Sequence, residues 1–478
     1  MNQNIITQIH DYLHAHQNEI IEDLMTLVRI PSIEEAPAPH APFGIPCRKA
    51  LDKAVALFER EGLDCTVYGD GVYGLAKKAG KKAEIGLFTH LDVVPVTNDW
   101  MLNLPFDPQI HDGCLVGRGV HDNKAGATMA LYALHTIKAL GLPLHSAVTV
   151  FLGTNEETGM GDIHAYAEEQ PMPTVSLVPD NAYPVCLGEK GIYHLWAKSN
   201  QPLCDILSID GGVATNVILD NVTAKVKPSD NLFNELVTAI GSQKEYKLEV
   251  RDSLIYLTAY GITAHGSAPA SSLNAGKLLL KVLLDCPSLS VQDKQILSGA
   301  YHFLSADYGE PFGIDAEDPY FGKTTATNGM FSTKDGILSL SFDIRYGASS
   351  APDWVEACVR TSISEHGFTP YREENRPGFR IPEDEPTAQA LIEAYRTVSG
   401  DHTSKVMYSG GGTYARHLKN AFSCGCEAPY LTHDLGLPQG HGHIHQSDES
   451  IAIEALLESI KLFTVMLLSL DEACQNQA

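Results

Sequence analysis

Positive charge is the first thing this chain is short of. Thirty-four Lys and Arg stand against 59 Asp and Glu in 478 residues, a formal net charge of -25. Such a surface repels phosphate backbones and anionic lipid heads, which argues against nucleic-acid binding and membrane docking. A spanning segment is also missing. The best candidate, Ile451 to Leu470, is interrupted by Glu454, Glu458 and Lys461, whereas a transmembrane helix needs about 18 or more consecutive apolar residues. The amino terminus, MNQNIITQIHDYLHAHQNEI, lacks a basic segment and meets Asp11 early, so it does not read as a secretory signal. Cysteine is present but unpatterned: only Cys424 and Cys426 lie close together, and no second pair completes a thiolate metal site. The ten cysteines read as reduced thiols of a cytoplasmic protein. What is present, 44% apolar and 19% charged residues, is ordinary globular composition. The length suits roughly two or three domains.

Residues 4–29 carry apolar positions at helical spacing and stop at Pro31. Three short apolar runs follow, EIGLFTH (84–90), AVTVFLG (147–153) and TVSLVPD (174–180), with a helical segment at 127–140 between the first two. Strands alternating with helices predict an α/β layer with a largely parallel sheet. From about 192 the texture changes to α+β. Strand-like IYHLWAKS, SLIYLTAY and ILSLSFDIRY alternate with helical LFNELVTAI, LNAGKLLLKVLL and DWVEACVRTSISEH. After the proline- and charge-rich RPGFRIPEDEP (376–386), α/β texture returns and ends in an amphipathic helix over 448–470. One α/β domain interrupted by an inserted second domain accounts for this order. GDGVYG (69–74) matches a dinucleotide fingerprint, but the lysine- and glycine-punctuated stretch behind it leads to a strand, so a tight turn is the better reading. SGGGTYAR (409–416) lacks the ending of a phosphate loop; its glycines suit close approach of a ligand or another strand.

The chemistry collects where those strands end. THLDVVP puts His90 at the carboxyl end of the first strand, with Asp92 two residues on. GTNEETG puts Glu156 and Glu157 beyond the second, and VPDNAYP puts Asp180 at the end of the third. GRGVHDNKAG adds Asp122 just ahead of a helix. Ligands of open α/β sheets bind outside the carboxyl ends of the strands, so all these groups share one crevice if the strands are parallel neighbours. Five carboxylates there, Asp92, Asp122, Glu156, Glu157 and Asp180, would repel one another into protonation or unfolding. Divalent cations remove the conflict, and the charge count favours two ions over one. His90 and Asp92 project to one side of an extended segment, so Asp92 can orient the imidazole. Glu156 and Glu157 are adjacent and must diverge. One can ligate while the other faces a water whose pKa the ions lower.

With these residues in hand, the chain resembles the zinc-peptidase family that includes aminoacylase, carboxypeptidase G, carnosinase and the PepV- and Sapep-type dipeptidases, the M-twenty peptidases. The resemblance is carried by LVRIPS (27–32), HLDVVP (90–95), GRGVHDNKAG (117–126), GTNEETG (153–159), VPDNAYP (178–184), GEKG (188–191) and GHIHQSDES (442–450). It implies a phosphorylase/hydrolase-like catalytic domain with a mostly parallel central sheet, formed by 1–191 and 385–478, and an inserted α+β lid over 192–384. It implies two divalent ions, zinc first and manganese as an alternative. His90 and Asp180 would hold one, Glu157 and His445 the other, and Asp122 would bridge them. Among His441, His443 and His445 the spacing alone does not choose; the family pattern selects His445. Glu156 becomes the general base and Asp92 the partner of His90. Where many relatives have Asp-Asp, this chain has Asp122-Asn123; the bridging position is kept.

In the insertion, GITAHGSAP (261–269) and DIRYGAS (343–349) resemble the segments that supply an oxyanion-stabilising histidine and a carboxylate-binding arginine, here His265 and Arg345. A guanidinium fork suits a carboxylate. Asn216 is a further candidate for that polar end, and Gly411 and Gly412 of GGGTY for the substrate backbone. The implied function is hydrolysis of dipeptides with a free C-terminal carboxylate, by a two-metal mechanism with a bridging water. The implied partner is a small peptide, with no nucleic acid and no membrane, and a monomer is favoured over a homodimer by the size of the insertion. The alternatives are an N-acyl-amino-acid deacylase or desuccinylase with the same metal centre, and a catalytically silent metal-dependent peptide or amino-acid binder.

Overall fold

The computed structural model describes residues 2–80, 84–229, 231–431 and 433–476. They form two compact units, one of Met1–Gly188, Ile381–Met407 and Gly412–Ala478, the other of Glu189–Arg380 and Tyr408–Gly411.

The first unit is built on a twisted sheet whose centre is parallel. Strand Glu84–His90 lies between Ala147–Gly153 and Val175–Asn181, parallel to both, and Val175–Asn181 is parallel to Ala421–Gly425. Each parallel step needs a crossover. Helix Lys124–Ala139 supplies the one before Ala147–Gly153, and helix Gly161–Glu169 the one before Val175–Asn181. The central strands are buried on both faces and read as continuous apolar runs. Register pairs His90 with Gly153, so the strand ends that carry the chemistry are level. Flanking strands are antiparallel: Asp64–Tyr68 and Tyr73–Lys78 form a hairpin with Tyr68 opposite Tyr73. GDGV, the first four residues of GDGVYG, is the turn of that hairpin. Gly69 and Gly71 adopt φ of 56° and 105° there, a conformation that favours glycine.

The structure corrects three element readings. The helical stretch over 4–29 is two helices, Gln3–Ala15 and Gln17–Val28, separated at His16. The helix read at 127–140 begins at Lys124, directly after the Asp122-Asn123 motif. The last helix starts at Ile453, behind the short strand Ser450–Ala452. It is not one-sided either: Leu456, Leu457, Ile460, Phe463, Met466 and Leu467 are all buried, because the helix packs against Gln3–Ala15, Lys124–Ala139 and Pro386–Ser399. Among the described residues no helix is long and apolar enough to cross a membrane.

The second unit is an antiparallel sheet with helices. Ile337–Tyr346 pairs with Gly191–Ser199 and with Phe331–Lys334, while Asn221–Val226 and Leu254–Tyr260 pair toward the opposite edge. Helices Leu232–Ile240, Ala275–Leu284, Val291–Phe303 and Pro352–Glu365 belong to it, and their apolar faces share one core with alternate residues of the sheet. Asn274 caps Ala275–Leu284 by accepting from Gly276 and Lys277.

Candidate metal centre

Parallel register brings the predicted residues of the first unit together. His90 Nε2 lies 3.1 Å from Asp122 Oδ1 and 3.7 Å from Asp180 Oδ2. His445 Nε2 lies 2.9 Å from the other Asp122 oxygen and 3.2 Å from Glu157 Oε2. Two donor groups result, His90–Asp122–Asp180 and Asp122–Glu157–His445, each with ligating atoms within 4.8 Å of one another and both sharing Asp122. His90 is buried, while His445 is half-exposed on a loop with φ of 61°.

Electrostatics show what the cluster wants. Burial, followed by the charge of Asp122, pushes Glu157 up to about 7 and raises Asp180. Burial also drives Glu156 well above the ordinary carboxylate range, against the opposing charge of His90. Asp122 goes the other way. Burial would raise it, but hydrogen bonds from His445 and His90 outweigh that and hold it well below the usual range. The imidazoles respond in kind: despite burial, Asp122 and Glu157 raise His445 to about 11, and three aspartates raise His90. Protons on the rings thus do what a cation would do. Glu157 Oε1, meanwhile, is buried without a hydrogen-bond partner, and an orphaned carboxylate oxygen on a member of a donor group fits a cation. The donor set of two imidazoles and three carboxylates suits zinc and manganese alike.

Main-chain anchoring fixes these side chains. Asp92, paired with His90 by its spacing, has its Oδ1 3.5 Å from His90 Nδ1, while the ring nitrogen lies closer, 3.1 Å, to the Asp92 main-chain oxygen. The Asp92 carboxylate accepts from the backbone N–H of Glu156 at 3.2 Å and of Glu157 at 3.0 Å. It therefore braces the glutamate pair as well as the ring. Asp122 precedes a cis peptide bond to Asn123. The Asn123 amide donates to Pro179 O and, at 3.3 Å, to Asp180 Oδ1, contacts that an ionised aspartate at 123 could not make because it has no hydrogen to give.

Some supporting residues went unassigned in the sequence. Glu449 accepts from the backbone of Gly119, His121 and Asp122 and pairs with buried Arg118 at 2.6 Å. Asp448 accepts from Met101 and Leu102 N–H and from His441 Nδ1 at 2.6 Å. The two acids following HIHQS are a signal that the loop is tethered, but apart from His441 their partners lie more than 300 residues away in the chain. His441 is thereby a loop-holding residue; neither it nor His443 belongs to the two donor groups.

The second unit gathers its own candidates. Arg345 is buried, with Nε and Nη2 on Asp343 at 2.5 and 2.9 Å and Nη1 on Gly410 O at 3.0 Å. Asp343 is held far below its usual range: burial opposes, but Arg345 and His194 prevail. His265 is exposed, its Nδ1 2.7 Å from Ser267 Oγ, and the next residue's N–H donates to Asn216 O at 2.8 Å. Gly411 belongs to this unit and Gly412 to the first. A Cβ on Gly412 would meet the Arg416 guanidinium at 2.6 Å, whereas Gly411 has only Ser409 Oγ within reach.

Comparison with known proteins identifies the chain's relatives. Its residues 86–469 match Peptidase family M20/M25/M40. The chain belongs to that family. It is therefore a metallopeptidase, and it has the α/β architecture with a second domain found in M20 structures. A Bacillus subtilis (strain 168) protein named "Putative dipeptidase YtjP" is 29% identical, over 94% of this chain and 96% of the relative. Among solved folds, human carnosine dipeptidase 1 superposes with a TM-score of 0.61 at 16% identity, covering 98% of this chain and 99% of that one. The di-peptidase Dug1p of Saccharomyces cerevisiae gives 0.60 at 12%, covering 98% of each.

Proposed function

We propose that this M20 peptidase hydrolyses dipeptides carrying a free C-terminal carboxylate, with two divalent ions held by His90, Asp122, Asp180, Glu157 and His445. The observation that carries the reading is the sharing of Asp122 between two three-residue donor groups, with Glu157 Oε1 left unpaired. The names of the relatives support the dipeptide as substrate. When bound, such ions would polarise the scissile carbonyl and make water more acidic, zinc being the first choice and manganese the second.

The protein's own groups do the rest. Glu156, outside both donor groups and carried on an amide that Asp92 fixes, takes the proton of the attacking water and returns it to the leaving amine. We assign His265 to the developing oxyanion. Arg345 reads the substrate carboxylate; Asp343 takes the Nε hydrogen and one on Nη2, Gly410 O takes one on Nη1, and the one hydrogen remaining on each Nη is left for the ligand. Asn216, Gly411 and Gly412 are assigned to the substrate main chain. Residues 192–384 act as the lid that measures substrate length, and the active form is a monomer of the cytoplasm, where its ten free cysteines stay reduced.

A substrate panel assayed after chelation and readdition of Zn or Mn tests the reading. Dipeptides should be cleaved, with tripeptides and C-terminally amidated dipeptides poor substrates. Preferential hydrolysis of N-acyl amino acids would replace the dipeptidase with a deacylase. Tight peptide binding without turnover would replace it with a binding protein.

A further inference from the structure

Tyr414 ends the GGGTY stretch whose glycines were read as substrate-lining, yet its side chain is fully buried beneath the donor groups. Its ring stands edge-on to His90, 6.3 Å between centroids, and edge-on to Phe151 at 5.3 Å. Its hydroxyl donates to Asp162 Oδ2 at 2.5 Å. The same Asp162 oxygen accepts the backbone N–H of Thr154 at 2.6 Å and of Asn155 at 2.8 Å, while Oδ1 accepts from Ile163 at 2.7 Å. Asp162 is itself 0% exposed. The two next amides in the chain, of Glu156 and Glu157, go to Asp92. Four consecutive N–H groups, 154 to 157, are thus shared in pairs by two buried carboxylates. Gly153, directly before them, has no room for a side chain: a Cβ would collide with the Tyr414 hydroxyl and Asp162.

We infer that Tyr414 and Asp162 are positioning residues for the glutamate pair, setting the first half of the turn whose second half Asp92 sets, so that Glu156 and Glu157 diverge in a fixed direction. The inference rests on the proposed roles of Glu156 and Glu157. Physically, a buried carboxylate accepting two adjacent amides fixes both peptide planes, and the tyrosine hydroxyl holds the carboxylate's rotamer in turn. Groups that act through another residue in this way commonly matter about tenfold to a hundredfold in metal affinity or activity, because sub-ångström misplacement of a reacting group is costly.

The test compares Tyr414→Phe and Asp162→Asn with the unaltered full chain, reading Zn(II) affinity by calorimetric titration and kcat and KM on a cleaved dipeptide. Asp162→Asn should weaken Zn(II) binding by about tenfold or more. Tyr414→Phe should lower kcat by about tenfold with KM changed less than about twofold. A Tyr414→Phe enzyme with unchanged kcat overturns the inference, and so does one with raised KM at constant kcat, which would return Tyr414 to the substrate pocket. Cooperatively melting Asp162→Asn protein that binds Zn(II) as the parent does also overturns it. If Asp162→Asn fails to fold, Tyr414→Phe, which removes one hydroxyl only, decides. Should the unaltered enzyme cleave no dipeptide, the functional reading fails, and the Zn(II) titrations of both variants still judge the positioning claim.

Discussion

In the first unit, two further carboxylates and two imidazoles crowd around Asp122, and Glu157 Oε1 is left without a partner. In the second unit, Asp343 and Arg345 are buried, and both Asp343 oxygens and all three guanidinium nitrogens are engaged. One cluster balances its charge only by taking up protons or cations; the other is already neutral. A group of charges can therefore lack its counter-ion or already hold one. The satisfied-atom count tells which, since isolated buried charge is far costlier than a paired one.

That contrast can be broken experimentally. Removing divalent ions should act only on the first cluster and abolish turnover, with full recovery on adding Zn or Mn, as read by dipeptide assay. Glu156→Gln should lower kcat by about 10²–10⁴-fold, the range of general-base catalysis, while metal content by elemental analysis stays at the parent value. Asp343→Ala should unpair a buried guanidinium and cost about 3–5 kcal/mol in denaturant unfolding. Arg345→Lys should keep the charge but lose the fork. It should raise KM for dipeptides by about tenfold, the worth of one charge-assisted hydrogen bond.

A further effect concerns pH. In chelated protein, His445 has a folded pKa raised to about 11 against an ordinary 6.5. Its proton therefore stabilises the fold fully below about 6.5, and that contribution is lost as pH rises toward about 11. Glu157, raised to about 7, acts in the same direction at lower pH. The melting temperature of the chelated chain should accordingly fall with rising pH across this window. Metal-loaded protein, whose rings must be unprotonated to ligate, should not follow that trend.

Much of the architecture was legible because the parallel strands are short, apolar and bounded by turn residues: EIGLFTH and AVTVFLG appear in the structure as Glu84–His90 and Ala147–Gly153. The insertion's longer apolar strands were equally plain, whereas Tyr246–Arg251, with its alternating charges, carried no such signal. His90, Asp122, Glu156, Glu157 and Asp180 could be placed near one another because each follows a strand end or precedes a helix. His445 could not, since it sits on a loop without period, and only family resemblance separated it from His441 and His443.

From its sequence alone this protein had its acidic surplus, its run of parallel strands and the crowding of carboxylates at their ends, because local hydrophobic pattern and chain order dictate them. Which atoms meet was settled by the folded chain. Asp162 reaching Tyr414 across 252 residues, and Glu449 reaching Asp122 across 327, are contacts that no local pattern encodes. Burial makes each of those partnerships obligatory, since a polar group shut away from water must find its counterpart wherever the fold brings one.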